Sequence, residues 1–325
     1  MTSIEALAAA VRQGDRQALA RAITLVESRR DDDQAQAERL LQALLPATGG
    51  ALRLGITGAP GVGKSTLIEV LGTRLCAGGK KVAVLAVDPS SVRTGGSILG
   101  DKTRMNELAR QQNAFIRPSP GGDTPGGVAA RTREALLCCE AAGFEVVLIE
   151  TIGTGQSETA VALMVDFFLL LLSPAAGDEL QGIKRGVMEL CDGVLVHKGD
   201  GDLAAAADRA AQQCMLALRV LHSGDGAVPF VLVGSSLTGR GIDDLWDAIS
   251  AAVAARRADG SLRRRREAQA EGWLDAVVRD HLLGAFLADP RVQQQLPQLR
   301  ADVAQGRLLP GAGARQLLAL YRAGR

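Results

Sequence analysis

The nine residues Gly58-Ala-Pro-Gly-Val-Gly63-Lys64-Ser65-Thr66 constrain this chain more than any other stretch. They follow an apolar run, Ala51 to Thr57, and precede Leu67, Ile68, Val70, Leu71 and Leu75, which recur at helical spacing. A GxxxxGK[ST] string between a strand and a helix is a phosphate loop. Gly58, Ala59, Pro60, Gly61, Val62 and Gly63 keep the backbone bare enough for successive N–H groups to surround phosphates. The helix that follows aims its positive end at them, Lys64 reaches the β- and γ-phosphates, and Ser65 and Thr66 open the helix.

The surrounding pattern is that of an α/β domain. Strand candidates are Ala51 to Thr57, Lys81 to Val87, Glu145 to Ile149, Phe167 to Leu172, Gly193 to Val196 and Phe230 to Val233, several of them apolar on both faces. This predicts a P-loop NTPase fold: a mostly parallel central sheet covered by helices on both sides, with ligands at the strands' carboxyl ends. Before it, Leu7, Val11, Leu19, Ile23, Val26, Leu40, Leu41 and Leu44 recur at helical spacing. Long helical stretches follow it: Ser261 to Leu287, Arg291 to Ala304 and Pro310 to Arg322. The expected division is a helical N-terminal extension over 1–47, a nucleotide-binding domain over 48–257 and a helical C-terminal arm over 258–325.

Composition excludes several classes. Thirty-seven basic and 36 acidic residues leave a net charge of +1, and six Phe, two Trp and one Tyr offer few stacking platforms, so nucleic acid is not an expected partner. Six arginines among positions 256–266 are read as a solvated helix face rather than an anion site. The most apolar stretch, Val161 to Leu172, is interrupted by Asp166 and too short to span a bilayer, so no membrane association is expected. Five cysteines without a CxxC pair, and a start lacking signal-peptide character, favour the cytoplasm.

Three further strand ends carry candidate chemistry. Asp88 closes the second strand. Glu150 closes the next and begins Glu-Thr-Ile-Gly, an acidic-x-x-Gly loop whose carboxylate orients magnesium and whose glycine, Gly153, senses the γ-phosphate. His197-Lys198-Gly199-Asp200 resembles the guanine-reading NKxD motif with histidine in first position. Asp200 accepts from guanine N1–H and the exocyclic amine, Lys198 covers a base face, and backbone N–H groups of Ser235, Ser236 and Leu237 are placed for O6. Imidazole in place of a carboxamide is expected to lose one hydrogen bond, about 0.5–1.5 kcal/mol, so His197→Asn is expected to bind GDP more tightly.

Longer strings resemble the G-protein chaperones of adenosylcobalamin-dependent acyl-CoA mutases, the MeaB, ArgK or MMAA family. They are Ala22-Ile-Thr-Leu-Val-Glu-Ser28, the phosphate loop, Ala86-Val-Asp-Pro-Ser-Ser91, Gly95-Gly-Ser-Ile-Leu-Gly-Asp-Lys-Thr-Arg-Met105, Phe115-Ile-Arg-Pro-Ser-Pro120, Glu150-Thr-Ile-Gly-Thr-Gly-Gln-Ser-Glu158 and Gly177-Asp-Glu-Leu-Gln-Gly-Ile-Lys184. The resemblance implies a homodimeric GTPase, dimerised through its helical arm, that gates cobalamin delivery to a mutase and turns GTP over slowly without it. The cobalamin adenosyltransferase is a second implied partner. It places magnesium and phosphate roles on Ser65, Asp88, Asp101 and Glu150, switch loops on 88–105 and 150–158, and a partner-sensing loop on 175–184, where Lys184 supplies charge to the transferring phosphoryl group. His197 stands where the family has asparagine, Ser236 where it has alanine, Ala176 where it has glycine, and Thr124-Pro125 where it has Leu-Gly.

Two other readings compete. A nickel-insertion GTPase needs soft or imidazole ligands, and only His197, His222 and His281 occur, with no cysteine pair at metal spacing. An ATP-using kinase linked to basic amino-acid transport would have to bind adenine, against which Asp200 weighs.

Overall fold

The computed structural model describes residues 3–28, 30–87, 105–119, 125–151, 157–174, 185–222 and 228–323. Seven parallel strands form one sheet: β1 (Leu52–Gly58), β2 (Val82–Val87), β3 (Ala114–Ser119), β4 (Val146–Thr151), β5 (Phe167–Leu172), β6 (Gly193–Val196) and β7 (Phe230–Val233), in the order β3-β2-β4-β1-β5-β6-β7. The helices are α1 (Ile4–Arg12), α2 (Arg16–Val26), α3 (Asp31–Leu44), α4 (Lys64–Ala77), α5 (Asn106–Arg110), α6 (Pro125–Ala141), α7 (Ser157–Ala162), α8 (Arg185–Leu190), α9 (Ala204–Leu221), α10 (Ile242–Ala258), α11 (Ser261–Ala288), α12 (Pro290–Ala304) and α13 (Pro310–Arg322). The expected α/β sheet is therefore present, and all six strand candidates are strands.

One strand escaped the pattern. β3 contains Pro118, which has no N–H to give a ladder and reads as a strand breaker. It is tolerated because β3 is an edge strand, paired on one side only, with Pro118 opposite Ala86.

β1 lies at the centre, between β4 and β5, and is buried along nearly its whole length. Leu54, Ile56, Leu148, Leu169 and Leu171 pack with Leu67, Ile68 and Leu71 of α4 into one core. Burial on both faces explains the unbroken apolar runs of β4, β5 and β6. The N-terminal helices α1, α2 and α3 pack on one another and on α6, burying Val11, Leu19, Ile23, Leu40 and Leu44. Glu27, the residue that caps the carboxyl end of α2, pairs with Arg117 of β3, which joins two of the strings quoted above.

The chain divides into two compact units, Met1–Glu267 and Ala268–Arg325. In the second, α12 packs against α13, and Phe286 meets Tyr321 edge-on at 5.4 Å. No helix among the described residues is long and apolar enough to cross a membrane.

The arginine run is not a uniformly solvated face. Arg256, Arg265 and Arg266 close the amino ends of the strands, whereas Arg257, Arg263 and Arg264 are exposed. Arg266 grips the fully buried Asp166 with two bonds, Nε to Oδ1 at 2.7 Å and Nη2 to Oδ2 at 2.6 Å, and also reaches the carbonyls of Gly49 and Ala51. Asp166 in turn accepts the Arg53 N–H at 2.9 Å. Arg256 and Arg265 both donate to Asp192 Oδ1, and Oδ2 accepts from Arg265 and from the Phe168 N–H at 2.8 Å. Sequence distance hid this: the partners lie 64 to 100 residues away. Removing one partner of a buried pair strands the other charge, so Arg266→Ala is expected to cost about 3–5 kcal/mol in urea denaturation. A loss under about 1 kcal/mol, the value typical of an exposed pair, would contradict the placement.

Candidate nucleotide site

Every described candidate residue lies on the sheet edge where the strands end. β1 runs into the loop 58–63 and α4 begins at Lys64. Gly63 is the helix N-cap in the left-handed region, φ 102°, and carries no side chain to occupy the first-turn N–H groups. A Cβ there would also sit 2.6 Å from the His197 ring. At Gly58, φ 149°, a Cβ would meet the Leu171 carbonyl at 2.5 Å. Both glycines are thus demanded by close approach as well as by backbone angle.

Lys64 is buried and its ammonium donates to the carbonyls of Gly58 at 2.7 Å and Ala59 at 3.0 Å. Burial lowers its pKa from the usual lysine value, and the carboxylates of Glu150 and Glu158 oppose that shift. Ser65 Oγ donates to Glu150 Oε1 at 2.8 Å, so the hydroxyl opening α4 and the carboxylate ending β4 are adjacent although 85 residues apart. Thr151 donates to Thr57 at 2.9 Å, tying the end of β4 to the end of β1. Glu158 and Thr151 were not singled out by sequence. Glu158 appears there only as the end of a quoted string, and Thr151 carries no motif signal.

The loops after β6 and β7 form one unit. Ser235 Oγ donates to Asp200 and accepts the N–H groups of Leu237 at 3.2 Å and Thr238 at 3.3 Å. Gly199 N–H donates to the Gly234 carbonyl at 2.9 Å. Lys198, the one non-glycine residue with positive φ among those described, reaches back with its ammonium to the Gly61 carbonyl at 2.8 Å. The N–H groups expected to face O6 have partners inside the protein: Ser235 donates to the Arg240 carbonyl at 2.9 Å and Ser236 to His197 Nε2 at 3.3 Å.

His197 departs from the expectation of a lost hydrogen bond. Its Nδ1 is 2.8 Å from the Val62 carbonyl and its Nε2 is 2.7 Å from Ser236 Oγ. A carbonyl only accepts, so Nδ1 carries the proton and Nε2 is the acceptor. Both nitrogens are satisfied, and the ring bridges the base-side loops to the phosphate loop.

Asp88, Asp101, Gly153 and Lys184 lie outside the described residues, as do Thr124 and Ala176. Among the described residues no cluster of three or more His, Cys, Asp or Glu is arranged to hold a metal. All five cysteines are free and buried.

The family model for methylmalonyl Co-A mutase-associated GTPase MeaB matches residues 19–291. The chain belongs to the MeaB family of GTPases. A Caulobacter vibrioides protein described as a putative GTPase is 55% identical over 309 residues, covering 95% of this chain and 94% of its own. GTPase ArgK of Escherichia coli is 47% identical, with 94% and 93% covered. The mitochondrial methylmalonic aciduria type A homolog of Mus musculus is 44% identical, with 95% and 77% covered. A crystal structure described as an LAO/AO transport system kinase superposes with a TM-score of 0.79 at 40% identity, covering 98% of both chains. As a member of the MeaB family, the chain is a P-loop GTPase.

Burial is the largest influence on His197 and lowers its pKa from the usual 6.5. The Val62 bond and Asp200 oppose the shift, and Lys198 adds to it. With the folded value below the unfolded one, the neutral ring's contribution is complete above about pH 6.5 and is lost as pH falls toward the folded value. Nitrogen-detected NMR of the imidazole is expected to show the Nδ1–H tautomer and a midpoint below 6.5. An Nε2–H tautomer, or a midpoint above it, would contradict the bridge.

Proposed function

We propose that this chain is a magnesium-dependent GTPase that binds an adenosylcobalamin-dependent acyl-CoA mutase and gates loading, protection or reactivation of its cobalamin cofactor. Family membership supports the partner class, since the family is described as methylmalonyl Co-A mutase-associated. The observation that carries the nucleotide half is convergence: the phosphate loop, the Ser65–Glu150 pair and the Asp200–Ser235 pair lie on one sheet edge and are bridged by His197 and Lys198.

Ser65 and Glu150 present a hydroxyl and a carboxylate 2.8 Å apart, an all-oxygen donor set that suits a hard cation. They would hold Mg2+ together with Asp88 and Asp101. When bound, that ion neutralises charge on the β- and γ-phosphate oxygens. The N–H groups of 58–66 cradle the phosphates, and Lys64 shifts its ammonium from the Gly58 and Ala59 carbonyls to phosphate oxygens. Gly153 senses the γ-phosphate, and Lys184 adds positive charge as the phosphoryl group transfers. Asp200 accepts from guanine N1–H and the 2-amino group, Lys198 covers the base, and the Ser235-Ser236-Leu237 loop gives O6 an N–H that it exchanges from one of its internal bonds. Water accepts the phosphoryl group, GDP and inorganic phosphate are the products, and their release resets the protein.

We assign 1–47 as the helical extension, 48–257 as the GTPase domain and 258–325 as the dimerisation arm. Leu282 and Leu283 of α11, 56% and 54% exposed, supply apolar surface for a homodimer. A second partner is the cobalamin adenosyltransferase. The reduced thiols fit a cytoplasmic setting.

Steady-state GTP hydrolysis, with ATP as control, tests this reading. GTP turnover is expected to be slow alone and to rise at least about tenfold, or about 1.4 kcal/mol off the barrier, with a cobalamin-dependent acyl-CoA mutase. Lys184→Ala is expected to lower the stimulated rate more than the intrinsic one. No stimulation by any such mutase would contradict the chaperone role, and ATP turnover in place of GTP would favour the kinase reading.

A further inference from the structure

A groove of about 410 Å³ opens at the amino ends of β1 and β4, the sheet edge opposite the phosphate loop. From Leu52 in the groove to Gly58 at the loop, β1 runs about 20 Å. Leu52, Val146 and Val253 give the groove an apolar lining, and Val146 and Val253 continue into the core beneath it. Trp246 of α10, partly buried against the same core, adds an aromatic wall. Size and lining of this kind suit a small molecule.

The polar groups of the groove are unequally committed. Lys80, which follows α4, pairs at 3.5 Å with Glu145, which precedes β4. The other three stand on one face of α10, where Trp246, Ser250 and Arg257 recur at helical spacing. Arg257 is exposed and is in no ion pair among the described residues. The Ser250 hydroxyl is buried without a hydrogen-bond partner. A helical serine often gives its proton to the carbonyl four residues back, here that of Trp246; without that bond to lose, the hydroxyl can turn to a ligand. The Trp246 indole N–H forms no hydrogen bond with the described residues either.

A guanidinium, a hydroxyl and an indole N–H can all donate, so what the groove lacks is an acceptor. Lys80 and Arg257 set against Glu145 leave one net positive charge, which matches a monoanion and not a dianion such as a phosphate monoester. We propose that this groove binds a small carboxylic acid with an apolar body, taken as its carboxylate. Arg257 holds the carboxylate oxygens, with Lys80 and Ser250 beside it, and the body packs on Trp246 and the Leu52–Val146 floor. The site is separate from the nucleotide edge and does not rest on the guanine reading.

The test uses the full chain labelled with 5-fluorotryptophan, in which Trp246 and Trp273 give two fluorine resonances. Trp273→Phe assigns them, and Trp246→Phe does so if that variant fails to fold. The probe is 4-phenylbutyrate at neutral pH. It is expected to move the Trp246 resonance saturably, with half-saturation below about 1 mM, and to leave that of Trp273 in place. 4-Phenylbutan-1-ol, with the same body and no charge, is expected to bind about fivefold more weakly. Arg257→Gln is expected to remove this preference without weakening the alcohol, whereas Glu145→Gln, which removes the opposing charge, tightens the acid about threefold. General damage to the groove would not move the two variants in opposite directions. A Trp246 resonance unmoved at about 10 mM probe, equal affinity for acid and alcohol, or an Arg257→Gln protein that binds both more weakly overturns the site. A Trp246 resonance that shifts on dilution of the protein alone would seat a second copy of the chain in the groove, and that also overturns it.

Discussion

A parallel sheet leaves the carboxyl ends of all its strands on one edge, and a strand buried on both faces must release its chain there without exposing apolar surface. β1 meets this constraint with Gly58 and Gly63, positions where no Cβ fits. The loop between them turns tightly into α4, and the helix begins with N–H groups that no side chain caps. Such groups are satisfied by water or by an anion, and their alignment with the helix dipole favours a polyanion. Everything else at the site is arranged around that turn: Glu150 beside Ser65, and His197 and Lys198 against the loop carbonyls.

The opposite edge is equally organised. Arginines close the amino ends of the strands on the buried Asp166 and the half-buried Asp192, with Arg53 and Glu140 making a further two-bond pair at 2.9 and 2.8 Å. The Arg53–Glu140 pair and the Asp166 carboxylate are desolvated, so they stabilise only as complete sets. The sheet is thus held by charge at one end and left to receive charge at the other. The Arg256, Arg265 and Arg266 network belongs to the first compact unit, although α11 continues beyond it.

Most of the architecture was legible because burial on both faces writes itself as uninterrupted apolar runs, and because the phosphate-loop string is tied to one backbone geometry. β3 was missed as a strand because Pro118 reads as a breaker until its edge position is known. The arginine run was misread because its partners, Asp166 and Asp192, are distant in sequence and one of them only seemed to interrupt an apolar stretch. At the site, Asp200 and Ser235 are singled out by their motif strings, and the structure brings them together through the Ser235 hydroxyl, a contact the strings do not encode. The role of His197 was not legible. Its identity was plain, but a lost hydrogen bond follows from counting donors in one residue, whereas the structure satisfies the ring with a residue 39 positions on. Pairwise compensation of this kind needs coordinates.

The account turns on the sheet edge being a guanine-nucleotide site, and calorimetry of the native protein with GDP and with ADP in magnesium buffer tests that most directly. Asp200 has a donor pair to meet in guanine and none in adenine, so GDP is expected to bind at least about a hundredfold more tightly, near 2.7 kcal/mol. Equal affinity for the two, or preference for ADP, would contradict the assignment of the Asp200 and Ser235 loops to the base.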